Sequence, residues 1–530
     1  MPAATESAPI ASRNPATHEV LGEQPRTAPS EIAAIAASVA AVQPLWSALR
    51  TADRARYLRR AAQAVIDEWD ELGALLCRES GRPRAEVAAF ELLPAIDTLR
   101  WIAASGESLL RLERIAVPRA LHPMKRARLA QEPVGVVAVI SADSSPLAAP
   151  LGQIAAALLG GNGVLFKPAP RACLAGERLV RVLARAGLPE GLLRIVHGDK
   201  EVGRALAAAE GVARVLFTGN RRVGAEVARE CAAGGRGAVI EVGGADSMLV
   251  LDDANVPRAV AGALWAMCTG AGQPHGAVKR IFVARELHDR LVSELVASAT
   301  TLRIGDPSRE DTQLGPLATG ARRERLQAAV AEAVELGGTL HCGRALQPAG
   351  LPGAFHSPAV LSGVPLEAGL MLERVPGPVV CVRAVSNATE AIELANSGAH
   401  GLGASVWTAD RHRGVRIARE LQAGSVWLND HLPSPGIGRA PWGGVAGGSV
   451  WRTQGADGLR ACVQPKLITW DPPSGRSPWW YPYDGATLRA ARAIAKLSSV
   501  RDVDRERALR EGTFALGRVA RRSLWGARRR

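Results

Sequence analysis

Apolar positions in the middle of the chain come in two alternating rhythms. Residues 134–140 (VGVVAVI) form a short continuous run rich in β-branched side chains, as expected of a strand buried on both faces. From Pro146 to Leu159 the apolar residues recur at helical spacing, and Gly160-Gly161-Asn162 stops them before a second run at 163–166. A helix over 172–186 follows, closed by Gly187-Leu188-Pro189. Then come strands at 193–196 and 214–218, a helix at 223–232 and a strand at 238–242. Strands joined by helices of this length need right-handed crossovers, so the pattern predicts a parallel sheet covered on both faces. The alternation restarts near residue 255: helix 256–266, strand 279–283, helices 285–302 and 320–336, strands near 379–382 and 404–407, helix 413–421 and strand 424–427. Two α/β lobes are predicted. Long amphipathic helices over 31–49 and 53–81 pack on one of them, and no repeat of 20–50 residues is visible.

Composition narrows the class. At 530 residues, 47% apolar and 22% charged, the chain has room for two to four domains with real cores. No uninterrupted apolar run reaches the ~18 residues of a membrane span, and the N-terminus lacks the basic-then-apolar order of a signal peptide. Seven cysteines without CxxC spacing fit reduced thiols rather than zinc sites or disulfides. A cytoplasmic location is the expectation. The net charge of +14 is uneven: residues 485–530 hold 13 Lys and Arg against 4 Asp and Glu, +9 of the total. Arginine outnumbers lysine 59 to 6, which reads as coding bias, so nucleic acid is not an expected partner. A hinge-like PPSGRSP at 472–478 leads to Trp479-Trp480-Tyr481-Pro482-Tyr483 and to helices at 487–497 and 504–525, with Leu509, Leu516, Val519 and Leu524 on one stripe. This basic tail reads as an aromatic anchor holding a solvated helix; a partner subunit or an acidic membrane surface is the alternative contact.

A series of short motifs carries the functional reading. In order they are Pro133-Val134-Gly135-Val136, Pro146-Leu147, Gly161-Asn162, Lys167-Pro168, Phe217-Thr218-Gly219 with Val223-Gly224, and Glu241-Val242-Gly243-Gly244. Gly272-Gln273, Gly377-Pro378, His400-Gly401-Leu402, GSVWLN at 424–429 and Pro441-Trp442-Gly443-Gly444 complete it. In order and spacing over roughly residues 14–470 the chain resembles the NAD(P)-dependent aldehyde dehydrogenase superfamily. The resemblance implies an α/β fold with three parts. A Rossmann-like cofactor lobe spans 1–110 and 133–242, and a catalytic lobe spans 243–430. A β extension for oligomerisation spans 111–132 and 431–471, before the 472–530 tail. It also implies NAD or NADP as cofactor, an aldehyde as substrate, and a homo-oligomer, dimer or tetramer.

Enzymes of that family add a cysteine thiolate to an aldehyde, hold the oxyanion with an asparagine amide, pass hydride to nicotinamide and hydrolyse the thioester with a glutamate base. Glu241 matches the base. The nucleophile position, two residues after Gly272-Gln273 and 34 after Glu241, is His275, whose imidazole lacks thiolate nucleophilicity. Ser144 stands at the oxyanion asparagine, a shorter donor. At the cofactor site the resemblance assigns Lys167 to the adenosine ribose and Gly219, Asn220, Val223 and Gly243 to the phosphate turn and its surroundings, with Asn220 replacing a serine. Pro170 replaces the ribose-binding glutamate of NAD-preferring members, which leaves NADP open beside Lys167 and Arg171. Arg374 replaces the carboxylate that grips the nicotinamide ribose; Glu373 serves only after a one-residue shift. Three readings follow. The chain is a cofactor-binding, structural or regulatory homologue without thiol chemistry; or an oxidoreductase or hydrolase using Glu241 and His275 as acid and base; or a dehydrogenase that borrows Cys268, seven residues upstream.

Overall fold

In the computed structural model, which describes residues 8–119, 121–122, 124–398, 401–432, 436–445, 449–471, 477, 479–481 and 483–525, the first alternation folds as five parallel strands with helices between. They are β1 (Val136–Ile140), β2 (Gly163–Lys167), β3 (Leu193–Ile195), β4 (Val212–Gly219) and β5 (Gly237–Val242). The helices are α1 (Ala148–Leu159), α2 (Cys173–Arg185), α3 (Lys200–Ala208) and α4 (Arg221–Ala233). The spatial order is β5-β4-β1-β2-β3. His400, most of 472–478, Pro482 and the Leu524 side chain lie outside the described residues. β1 starts at Val136 rather than Val134: Gly135 takes φ +119°, and the amides of Val134 and Gly135 donate to Asn162 Oδ1 instead of a strand. Inward-facing Ala138, Leu165, Val215, Phe217 and Ile240 form the core of this lobe.

The predicted single helix at 53–81 is two, Thr51–Asp67 and Trp69–Ser80, broken at Glu68, whose carboxylate pairs with Arg178 on α2. The second sheet contains β6 (Asp246–Val250), β7 (Val278–Ala284), β8 (Thr339–Cys342), β9 (Ala359–Ser362), β10 (Val379–Val385), β11 (Gly403–Trp407) and β12 (Ser425–Leu428). Its order is β8-β9-β10-β7-β6-β11-β12, with β8 the one antiparallel strand. Helices α5 (Val256–Cys268), α6 (His288–Thr300), α7 (Gly320–Glu335), α8 (Ala388–Asn396) and α9 (Arg411–Glu420) cover it. Of these elements the pattern reading missed α3, α8, β6, β8 and β9. β6 opens on Asp246 and Ser247, polar residues that look like a loop yet are fully enclosed. A short strand β13 (Ser449–Val450) returns to the first sheet and lies antiparallel to β5, with Ser449 opposite Glu241.

The chain divides into two units, residues 1–109 with 133–464, and residues 110–132 with 465–530. The second holds 21 Lys and Arg against 8 Asp and Glu, so +13 of the chain's +14 sits there. Its three-stranded sheet places Arg126–Pro133 between Glu113–Ile115 and Val463–Trp470. Helices α10 (Gly485–Leu497) and α11 (Asp502–Trp525) pack through Ala490, Ala515, Leu516 and Val519. Leu509, placed on that stripe by periodicity, is instead 59% exposed. Trp479 donates Nε1 to Leu121 O (2.5 Å), whereas Trp480, Tyr481 and Tyr483 stand more than half exposed. Among the described residues no single helix is long and apolar enough to cross a membrane.

Candidate functional site

Strand register decides which residues meet. Ile140 on β1 lies opposite Lys167 on β2 and Phe217 on β4; Thr218 and Gly219 on β4 lie opposite Glu241 and Val242 on β5. The strand order turns back between β1 and β4, and such a turn opens a crevice at the carboxyl ends. A cavity of about 690 Å³ occupies it. Ser144, Lys167, Gly219, Asn220, Val223, His275 and Arg374 all line it. Glu241 and Gly243 stand just behind the lining. Glu241 is 3% exposed and touches Thr218 and His275, while a Cβ added at Gly243 would come within 3.0 Å of Arg374 Cδ and Nε.

Glu241 is held from three sides. Oε1 accepts from Trp442 Nε1 at 3.0 Å; Oε2 accepts from Thr453 Oγ1 at 3.0 Å and from Thr218 Oγ1 at 3.5 Å. His275 Nδ1 lies 3.8 Å from Oε1. Trp442 belongs to the Pro-Trp-Gly-Gly motif but carried no assigned role, and nothing around Thr453 marks it; β13 brings that segment to the end of β5. His275 rides on a loop with consecutive left-handed residues, Gly270 (φ 58°), Ala271 (φ 53°) and Gly272 (φ 67°). At Ala271 this conformation is strained. A Cβ at Gly272 would lie 2.0 Å from Gly377 O, so this position requires glycine for space as well. Two side chains tie the loop down. Lys279 Nζ donates to Gly272 O (3.0 Å) and Gly377 O (2.5 Å), and Gln273 Nε2 donates to Gly270 O (3.0 Å). Burial, reinforced by the charge of Arg374, pushes the Lys279 ammonium down to about 7.

No cysteine lines the cavity. Cys268, the last residue of α5, is 6% exposed, and its thiol is pushed far up by burial and by Glu86. Ser144 lines the cavity from the turn after β1, and its backbone oxygen accepts from Arg82 Nη2. Beside it the structure adds a pair that sequence reasoning missed: both Asp143 oxygens accept from Arg322 Nη2, at 3.1 and 2.8 Å. Burial works against ionising Asp143, but the charge and hydrogen bonds of Arg322 prevail and hold the carboxyl below its usual range. Arg322 also donates Nη1 to Gln273 Oε1 (2.8 Å), so α7 braces the loop carrying His275.

At the other end of the cavity Lys167 is 4% exposed, with Nζ 3.4 Å from Pro168 O. Burial lowers it to about 8 against the opposing charge of Asp199. Asn220 caps α4, Oδ1 accepting from Val223 N at 2.9 Å, which sets the positive end of the helix at the cavity. Gly224 lets that helix approach β5: an added Cβ would lie 2.9 Å from Ile240 Cγ2. These features fit the phosphates and ribose of a dinucleotide. The opposite end does not fit in the same way. Arg374 sends Nη2 to the carbonyls of Gln273 and Pro274 (3.0 Å to the latter), and burial with Arg322 nearby lowers it to about 10. Glu373, the neighbour that a one-residue shift would bring in, has a side chain 68% exposed and pairs with Arg325 at 3.3 Å.

Comparisons with known proteins give the family and the fold. A sequence model of the aldehyde dehydrogenase family matches residues 3–468. Betaine aldehyde dehydrogenase of Cereibacter sphaeroides is 33% identical over 461 residues, 87% of this chain and 93% of that one. Among solved structures, an aldehyde dehydrogenase of Mycobacterium tuberculosis complexed with NAD+ aligns with a TM-score of 0.83 at 29% identity, covering 88% of this chain and 95% of that one. An NADP dependent enzyme of E. coli aligns at 0.84 with 28% identity and the same coverage, 88% and 95%.

Proposed function

The chain belongs to the aldehyde dehydrogenase family of oxidoreductases, and on that premise we propose that it binds NAD or NADP in the β1–β4 crevice without oxidising aldehydes through a thioester. The observation that carries this reading is the absence of any sulfur from the cavity lining, with His275 at the place the chemistry requires a thiol. Lys167 and the α4 N-terminus would hold the nucleotide; when bound, it supplies a hydride acceptor. Arg171 lines the same end with no carboxylate at Pro170, which favours a 2′-phosphate and hence NADP. Loss of the asparagine amide at Ser144 removes a donor of the kind worth about 2.7–4 kcal/mol to an oxyanion. The protein acts in this reading as a cytoplasmic, cofactor-loaded subunit of a homo-oligomer. Leu467, Ile468 and Trp470, 60%, 44% and 39% exposed on the Val463–Trp470 strand, offer an apolar edge for self-association, measurable by light scattering.

One observation favours a second reading. Glu241 Oε1 lies 3.8 Å from His275 Nδ1, and imidazole oriented by a carboxylate is a general base. His275 would take a proton from water, the hydroxide would add to an ester carbonyl, and the imidazolium would return the proton to the alkoxide expelled from the adduct, giving the alcohol and the acid. Calorimetric titration with NAD+ and NADP+, followed by aldehyde and ester panels, separates the readings. Binding without turnover supports the first. Turnover that survives removal of every cysteine and disappears in His275→Ala supports the second. Aldehyde oxidation abolished by Cys268→Ala overturns both.

A further inference from the structure

At the His275 end of the cavity stands a guanidinium with no counter-ion among the described residues. Arg374 uses Nη2 on the carbonyls of Gln273 and Pro274. Its Nε is shielded from solvent and has no hydrogen-bond partner, and Nη1 makes none among the described residues. Of the acids whose charge reaches it, Asp143 is paired with Arg322, while Asp246 accepts from Gly403 N at 3.1 Å with its other oxygen 3.6 Å from His431 Nε2, and neither bonds Arg374. Arg322 and Arg325 line the same wall, and the whole lining carries seven Lys and Arg against four Asp and Glu. Its Nε edge is dry and its neighbours are cations, and a charge with donors left unfilled away from water is unfavourable unless an anion completes it. Arg322 shows the contrast, since Gln273 and Asp143 already occupy it.

We infer that Arg374 forms an oxyanion subsite beside His275, taking a phosphate or carboxylate carried by a ligand of this cavity. A planar guanidinium presents paired donors that match either group. The inference rests on the nucleotide reading only for the source of the oxyanion. A nucleotide can supply it from its own phosphate chain, or a separate small acid can bring it to a site beside the nucleotide.

Inorganic phosphate titrated calorimetrically into the full chain at constant ionic strength tests the subsite. Saturable binding is expected in the wild type, weakened at least about tenfold in Arg374→Gln. Arg374→Lys, which keeps the charge but not the fork, is expected between them and serves as the folded comparator should the glutamine variant be unstable. Repeating the titration with ADP or ATP present identifies the source. Suppression by ADP or ATP places the oxyanion on the nucleotide's phosphate chain; a response that survives both places it on a separate molecule. No saturable phosphate response, or one unchanged in both Arg374 variants, overturns the proposal. Because phosphate alone is the probe, a phosphate response without any nucleotide heat sinks the nucleotide reading and leaves the subsite standing.

Discussion

At the scale of single residues, the proposed reading rests on two positions that motif spacing alone pointed to: it puts His275 and Ser144 where the family's chemistry names a thiol and an amide. Restoring them tests how much each removes. In an Arg374→Glu background, His275→Cys supplies a thiol near Glu241 but leaves the oxyanion without its amide. Adding Ser144→Asn is expected to raise aldehyde turnover a further 10²–10³-fold or so, read as kcat by nucleotide absorbance. Lys167 sets a pH dependence. Its ammonium, lowered to about 8 by burial, must stay protonated to hold an anion. Nucleotide affinity should be flat below about pH 7 and fall by up to about tenfold per unit above pH 8, and calorimetry on Lys167→Gln should show a flat profile. Thr453 and the Asp143–Arg322 pair were not legible, because nothing local in the sequence marks a residue that acts through a contact more than a hundred positions away.

At the scale of elements, buried carboxylates set where helices begin. Glu91 accepts from Leu147 N (3.0 Å), Ala148 N (2.8 Å) and Ser145 Oγ (3.2 Å) at the start of α1, and pairs with Arg82 at 3.2 Å. That is why α1 starts at Ala148 rather than at Pro146, and Arg82 in turn holds the Ser144 carbonyl. Glu91→Ala should cost about 3–5 kcal/mol, since Arg82 would be left charged and enclosed, and a urea midpoint measures it. In α11 the close approach to α10 depends on Gly512, where an added Cβ would lie 2.3 Å from Ala493 Cβ. Gly512→Leu is therefore expected to part the two helices and expose the C-terminal segment to limited proteolysis, with faster cleavage after 485 on a gel. Periodicity found both helices but misplaced Leu509, because a stripe fixes a helix phase only where a partner helix selects it.

Over the whole molecule, charge and fold are segregated. The family match ends at residue 468, and the unit containing the tail holds +13 of the +14 net charge. A chain ending at residue 484 should elute from a cation exchanger at clearly lower salt than the full chain, since it lacks +9; equal elution would mean that the tail's charge is internally masked. What the sequence by itself determined is the pair of α/β lobes, most helices and strands, and the family. These rest on local rhythm, on glycine and proline punctuation and on motif order, all of which are one-dimensional. β6 was hidden because two enclosed polar residues opened it, and enclosure is a tertiary property. Only the tertiary structure decided that Trp442 and Thr453 clamp Glu241, that His275 comes within 3.8 Å of it, that Glu373 pairs with Arg325 and that Arg374 lines the cavity without a counter-ion among the described residues. Parallel-strand register and the returning β13 bring those residues together across large sequence separations, and side-chain partners are chosen by what that packing leaves within reach.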